Sequence, residues 1–336
     1  MDEHKELMAE NYHMDELPED SRLLSRGASY AGDYFIQAEE LKKMLDEDSS
    51  DLVLLDVTRG PGDYRLDVTR VDEDYEKGHI PGAVHFSTDE LGEFKDYLKD
   101  PEELKKAFLS RGVTKGTRLI LYSVYARDIM YIASRVAFAA YYLGVDDIKI
   151  LDGGLQAWQK AGYPLETGIN QPQAAQAFGA EVPGRPDIYL QTPEDLQDYL
   201  ADHSDSLLVS VRSWNEYLGR NAGHSWNKGQ GEIAGALYMG DDLLTNQSGY
   251  MSDPEEYRRQ WEEWGITPDK EIILYCGTSW RASTAFFLLK QLGWLQVKIY
   301  DGSWYKWYLA HEEDPAQFPI QRGNPQEKDD LEIIKE

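Results

Sequence analysis

Short apolar runs alternate with longer stretches of helical periodicity along most of this chain. Residues 207–211, 271–275 and 297–300 are short and rich in apolar or β-branched side chains, which is typical of buried strands. The predicted helices are 129–143, 195–200, 254–264 and 283–292. Buried strands that alternate with helices predict an α/β fold, in which helices flank a mainly parallel sheet.

The same pattern occurs twice. Residues 35–37, 53–57, 79–83 and 119–123 recur in order as 189–191, 207–211, 232–236 and 272–276. Ser123 and Cys276 are 153 residues apart, whereas Asp152 and Asp301 are 149 apart. Four residues of the first copy are therefore missing from the second, just after Cys276. An internal repeat of this length predicts two copies of one α/β domain.

A length of 336 residues is enough for two domains that each bury a core. We predict an acidic N-terminal extension at 1–32, a first domain at 33–167, a linker at 168–187, a second domain at 188–322 and an acidic tail at 323–336. The linker prediction rests on Gln-Ala repeats followed by two closely spaced prolines.

Composition restricts the function. The chain carries 34 Lys and Arg against 61 Asp and Glu, a net charge of −27, which argues against nucleic acid or an anionic membrane as a partner. Neither a signal peptide nor an apolar run of the roughly 18–20 residues that span a bilayer is visible, so a cytoplasmic location is expected. The seven histidines form no ligand pattern, and we expect no metal site.

The one cysteine occupies a position suited to chemistry. Cys276 ends the predicted strand 271–275 and opens the segment Cys276-Gly277-Thr278-Ser279-Trp280-Arg281-Ala282-Ser283. A strand-to-helix loop can curl its N–H groups inward beside the positive end of the helix, and Arg281 adds a charge that would stabilise a thiolate. The alternative, an inert buried thiol, is disfavoured by this placement.

These motifs resemble the rhodanese family, specifically its tandem-domain sulfurtransferases of the thiosulfate and 3-mercaptopyruvate type. Residues 75–83 look like the family's first signature, and the Cys276 loop looks like its active-site signature. The segment Ser210-Val211-Arg212-Ser213-Trp214 and a Cys-Gly-Thr-x-Trp-Arg-Ala loop resemble a bacterial subgroup. The resemblance covers residues 33–165 and 187–320.

The resemblance implies a double displacement. The Cys276 thiolate takes a sulfur from a small anionic donor, thiosulfate or 3-mercaptopyruvate. The acceptor that removes this sulfur from the persulfide is a thiol, which includes a protein thiol, or cyanide. No cofactor is implied. The substrate-binding residues implied beside Cys276 are Arg212, Gly277, Thr278, Ser279, Trp280 and Arg281. The first domain, with Ser123 in place of the cysteine, is expected to be inactive.

Two other functions are compatible with this sequence. A phosphatase or arsenate reductase on the same fold uses a loop with five residues between cysteine and arginine, and here four separate Cys276 from Arg281. A non-catalytic binding module is the other alternative, against which the retained Cys276 argues.

Overall fold

The computed structural model of the protein describes residues 34–47, 51–58, 75–123, 129–224, 227, 229–241, 244–245, 250–252, 254–327 and 329–336. The predicted acidic extension 1–32 lies outside these residues, and so do residues 124–128, which follow Ser123 in the stretch where the first copy has four extra residues.

Strands and helices alternate through both halves. The strands are β1 Phe35–Ile36, β2 Leu52–Thr58, β3 Val84–Ser87, β4 Arg118–Ser123, β5 Asp147–Leu151, β6 Tyr189–Leu190, β7 Leu207–Ser210, β8 Glu232–Ile233, β9 Leu237–Tyr238, β10 Ile272–Tyr275, β11 Val297–Tyr300, β12 Ile320–Arg322 and β13 Glu332–Ile334. The helices are α1 Ala38–Asp46, α2 Pro101–Leu109, α3 Ile129–Leu143, α4 Gly154–Lys160, α5 Pro193–Asp202, α6 Trp214–Tyr217, α7 Pro254–Glu263, α8 Trp280–Gln291 and α9 Ser303–Glu313.

Each half forms one parallel five-stranded sheet, with the strand order β1-β5-β4-β2-β3 in the first and β6-β11-β10-β7-β9 in the second. The order is the same in corresponding elements, and the register agrees as well. Leu119 lies opposite Val53 in the first sheet, and Ile272 lies opposite Leu207 in the second. The predicted α/β fold with two copies of one domain is therefore confirmed.

The two domains share an apolar core along the packed helices α3 and α8. Both helices are buried over most of their length, and the ring centroids of Phe138 and Phe286 lie 5.1 Å apart at this contact. One cluster of buried side chains runs from the first sheet through these helices to the second sheet. Separate clusters fill the outer face of each sheet. The domain interface is thus built like the interior of a domain.

The predicted elements differ from the structure mainly at their ends. The three predicted strands agree within one residue, whereas 195–200 is a longer helix and α8 begins at Trp280 rather than at residue 283. Ser279 explains the earlier start of α8. Its backbone is left-handed (φ 65°), which ends the loop, and the helix begins at the next residue. Arg281 therefore lies in the first helical turn. In the predicted tail, β13 pairs antiparallel with β12.

Candidate active site

Cys276 follows directly after β10, at the carboxyl end of a central strand. Three backbone N–H groups tie this loop to the start of α9. The N–H of Trp304 donates to the carbonyl of Cys276 (2.9 Å), that of Tyr305 donates to the carbonyl of Gly277 (3.1 Å), and that of Cys276 donates to Ser303 Oγ (3.3 Å). Cys276 is only 1% exposed. The fold thus holds one buried thiol where the sheet, α8 and α9 meet.

Ser279 gives the loop its sharp end. Its positive φ places a serine in the left-handed region, which costs a non-glycine residue about 1–2 kcal/mol. Its buried hydroxyl compensates by donating to the carbonyl of Asp301 (2.9 Å), and it lies 2.8 Å from Ser303 Oγ. No side chain caps α8, because the hydroxyl is used in this way. The first N–H groups of α8 consequently point into the loop without a side-chain cap.

Trp280 and Thr278 form the more open side of the loop, since both are partly exposed. The Trp280 ring lies 5.4 Å from the ring of Phe94, which belongs to the first domain. Gly277, in contrast, is buried. The first domain therefore contributes a wall beside the cysteine loop of the second domain.

Arg281 is held by two carboxylates. Its Nη1 lies 2.7 Å from Glu216 Oε2 and 2.6 Å from Asp241 Oδ2, and its Nη2 lies 3.0 Å from Glu216 Oε1. Burial opposes the charge of Glu216, but the guanidinium groups of Arg281 and Arg212 outweigh it and keep the pKa of Glu216 well below its usual range. Glu216 is therefore an ionised carboxylate inside the domain.

Arg212 is also fully buried and paired. It donates to the carbonyl of Gly231 (2.6 Å), and its Nη1 and Nε lie 3.2 Å from Glu232 and 3.4 Å from Glu216. Its guanidinium stacks over the ring of Trp304, 4.8 Å from the centroid. Its predicted role in substrate binding stays a prediction, as does that of Arg281. The structure places both arginines in one ionic network with three carboxylates.

Glu232 is the third carboxylate of this network, where it pairs with Arg212. Ser210 and Tyr275 both donate to its carboxylate at 2.6 Å, from the two adjacent central strands. Burial raises the pKa of Glu232, and Arg212 opposes the shift. In the first domain, Asp56 and Tyr122 occupy the strand positions of Ser210 and Tyr275, since each pair lies opposite in register.

The sequence did not indicate that the three carboxylates of the network, Glu216, Glu232 and Asp241, belong to the site. Glu216 had a signal, because Ser213 and Glu216 form a capping box that opens α6, but this pattern predicts only a helix start. Glu232 begins the recurring segment 232–236, which indicates only the internal repeat. Asp241 had no local signal, since it lies in the loop after β9.

Within the described part of the chain, no cluster of three His, Cys, Asp or Glu side chains could hold a metal ion. None of the described helices is long and apolar enough to cross a membrane.

Comparison with known proteins identifies the family to which this fold belongs. The family described as "Rhodanese-like domain" matches residues 37–161 and again 192–310. The chain is 38% identical over 254 residues to "Thiosulfate sulfurtransferase YnjE" of Escherichia coli, an alignment that covers 73% of this chain and 56% of that protein. The chain thus spans little more than half of the E. coli protein's length.

Two further similarities broaden this picture. The human "3-mercaptopyruvate sulfurtransferase" is 27% identical over 246 residues, covering 72% of this chain and 81% of that one. The solved structure of an EanB variant with a cysteine persulfide and ergothioneine superimposes with a TM-score of 0.76 at 29% identity, covering 87% of this chain and 71% of that chain.

The chain belongs to the rhodanese family, with two such domains in tandem. The resemblance recognised in the sequence is therefore confirmed. The curated relatives described above are both named as sulfurtransferases.

Proposed function

We propose that this protein is a sulfurtransferase that carries sulfur as a persulfide on Cys276. The donor is thiosulfate or 3-mercaptopyruvate, and a thiol or cyanide accepts the sulfur. The observation that carries this proposal is the position of Cys276, at the end of β10 and at the uncapped N-terminus of α8. Backbone N–H groups there would stabilise an anionic sulfur both as thiolate and as persulfide. The persulfide of the related EanB variant supports the same intermediate.

The proposal assigns different tasks to the two domains, 33–167 and 188–322. The second provides the nucleophile, and the first provides the wall formed by Phe94. Gly277 and Thr278 would contact the donor from the loop, with Trp280 beside them. Ser279 would act through its backbone, because its hydroxyl is already used by Asp301. The cytoplasmic location stays a prediction.

Intact-mass analysis tests the proposed intermediate. We expect reduced protein incubated with thiosulfate or 3-mercaptopyruvate to gain one sulfur atom, which a thiol then removes. Cys276→Ala should gain none, because it lacks the only cysteine. Since the cysteine side chain is small, this variant should retain the fold, which circular dichroism can verify. No gain in folded wild-type protein with either donor would contradict the persulfide mechanism.

A cysteine at the corresponding place in the first domain should not restore transfer. Ser123 lies inside β4 and opposite Val57 of β2, whereas Cys276 lies beyond the end of its strand. We therefore expect the double variant Ser123→Cys/Cys276→Ala to gain no sulfur from either donor. The matched control is Ser123→Cys alone, which should gain one sulfur, at Cys276. Sulfur on residue 123 of the double variant would show that the strand end alone creates the activity.

A further inference from the structure

The charge of the ionic network beside Cys276 bears on which anionic donor the site accepts. Both arginines predicted to bind an anion already face carboxylates: Arg281 contacts Glu216 and Asp241, and Arg212 contacts Glu216 and Glu232. Two guanidinium groups thus meet three carboxyl groups, all largely buried. Such a network offers little positive charge to an incoming anion, because opposite charges in contact cancel at longer range.

Asp241 occupies the outer position in this network. Its side chain is 12% exposed, compared with 3% for Glu216 and none for Glu232. Glu216 alone already binds both Nη atoms of Arg281, so Asp241 adds a second negative charge to an arginine that is paired without it. Asp241 is therefore the carboxylate whose charge the structure needs least to hold Arg281.

We propose that Asp241, together with Glu216, selects the sulfur donor by its charge. A donor with one negative charge would be favoured over a doubly charged donor such as thiosulfate. The inference rests on the proposed persulfide chemistry at Cys276, and it assigns Asp241 a role in specificity without contact to the reacting atoms. Electrostatic repulsion from the Asp241 carboxylate is proportional to the charge of the donor, so the repulsive energy of a dianion is about twice that of a monoanion.

The two donors carry different charges, and each transfers one sulfur atom to Cys276. With thiosulfate, the Cys276 thiolate attacks the outer sulfur, the S–S bond breaks, and the sulfite dianion leaves with the bonding pair. With 3-mercaptopyruvate, the thiolate attacks the thiol sulfur and the C–S bond breaks. The enolate of pyruvate leaves and takes up the proton that the thiol carried, so that the persulfide anion remains on Cys276.

The variant Asp241→Asn tests the proposal, because asparagine keeps the shape and a hydrogen-bond acceptor for Arg281. We measure the rate of persulfide formation on Cys276 by rapid-quench intact mass at limiting donor. If the rate with 3-mercaptopyruvate rises by about threefold, the rate with thiosulfate should rise by about tenfold, the square of that factor. If Asp241 only supported the fold, the variant would change the rates with both donors by the same factor. Asp269→Asn is the control, since this exposed residue precedes β10 at the end opposite Cys276.

A measurement on the wild-type protein makes the proposal independent of the variant's folding. With both donors present at equal concentration, pyruvate should form in excess over sulfite. Excess sulfite, or an equal gain for both donors in Asp241→Asn, would overturn the role of Asp241 while leaving the persulfide on Cys276 intact. Absence of any persulfide in wild-type protein would instead overturn the proposed function, and the donor selection with it.

Discussion

Replacing Arg135 by methionine is expected to lower the free energy of unfolding by about 3–5 kcal/mol. Arg135 lies on α3 of the first domain, and its Nη2 is 2.6 Å from Asp301 Oδ1 in the second domain. Both side chains are buried, at 4% and 0% exposure. Methionine fills a similar volume but leaves the Asp301 carboxylate without its counter-charge. Urea unfolding followed by circular dichroism measures the effect.

Activity should fall with stability in this variant. The Asp301 carboxylate also accepts hydrogen bonds from the N–H of Leu98 and from the hydroxyl of Tyr189, and its carbonyl accepts the Ser279 hydroxyl. A shift of Asp301 would therefore move the residue that ends the cysteine loop. We expect slower persulfide formation with both donors, in contrast to the donor-specific effect of Asp241→Asn.

An exposed ion pair of the same domain supplies the matched control. Arg118 lies 3.1 Å from Asp147, but these side chains are 36% and 41% exposed. Arg118→Met should change the free energy of unfolding by about 1 kcal/mol or less. The double variant Arg135→Met/Asp301→Asn should recover part of the loss, since it removes both charges. Equal effects of Arg135→Met and Arg118→Met would contradict the importance of the interdomain pair.

The repeat explains why the first domain retains its Asp-Gly segment without a cysteine. Asp301 accepts the N–H of Leu98 across the interface at 2.9 Å, and Asp152 accepts the N–H of Met251 at 2.7 Å. Leu98 and Met251 are themselves equivalent positions, 153 residues apart. Each domain thus uses its aspartate to hold a loop of the other, in a reciprocal arrangement. The first domain keeps this role independently of chemistry.

The sequence predicted those features that depend on local order. The two domains followed from repeated strand patterns, and the position of Cys276 followed from its strand and the glycine after it. The pairing of Arg281 with two carboxylates was not predictable from local order, because Glu216 and Asp241 are 65 and 40 residues away from it along the chain. The wall formed by Phe94 depends on how two whole domains pack, which no pattern in either copy reports.

Asp56 should make the first domain less stable as the pH rises. This carboxyl group lies in the sheet on β2, opposite Tyr122 of β4, and it is fully buried. Burial raises its pKa from 3.8 to about 7, although Tyr122 opposes the shift. In copy two the equivalent position is the uncharged Ser210, so the acid is a feature of the first domain alone.

The sign follows from comparing the folded and unfolded chains. Below about pH 4 both bind the proton, and Asp56 carries no penalty. Between pH 4 and 7 the unfolded chain ionises while the folded chain keeps its proton, so each pH unit costs about 1.4 kcal/mol of stability. Above pH 7 the cost is constant. The penalty from Asp56 is thus complete at neutral pH and disappears in acid.

Asp56→Asn removes this penalty and tests it. We expect the stability of the variant relative to wild type to increase by about 3 kcal/mol between pH 5 and pH 8, as measured by urea unfolding at both values. Comparing the two proteins at each pH cancels the titration of every other group. Asp51→Asn, at an exposed position immediately before the same strand, should show a difference that stays within about 0.5 kcal/mol. A constant difference between Asp56→Asn and wild type at the two pH values would mean that Asp56 is ionised in the folded protein at pH 5, and that its burial is compensated.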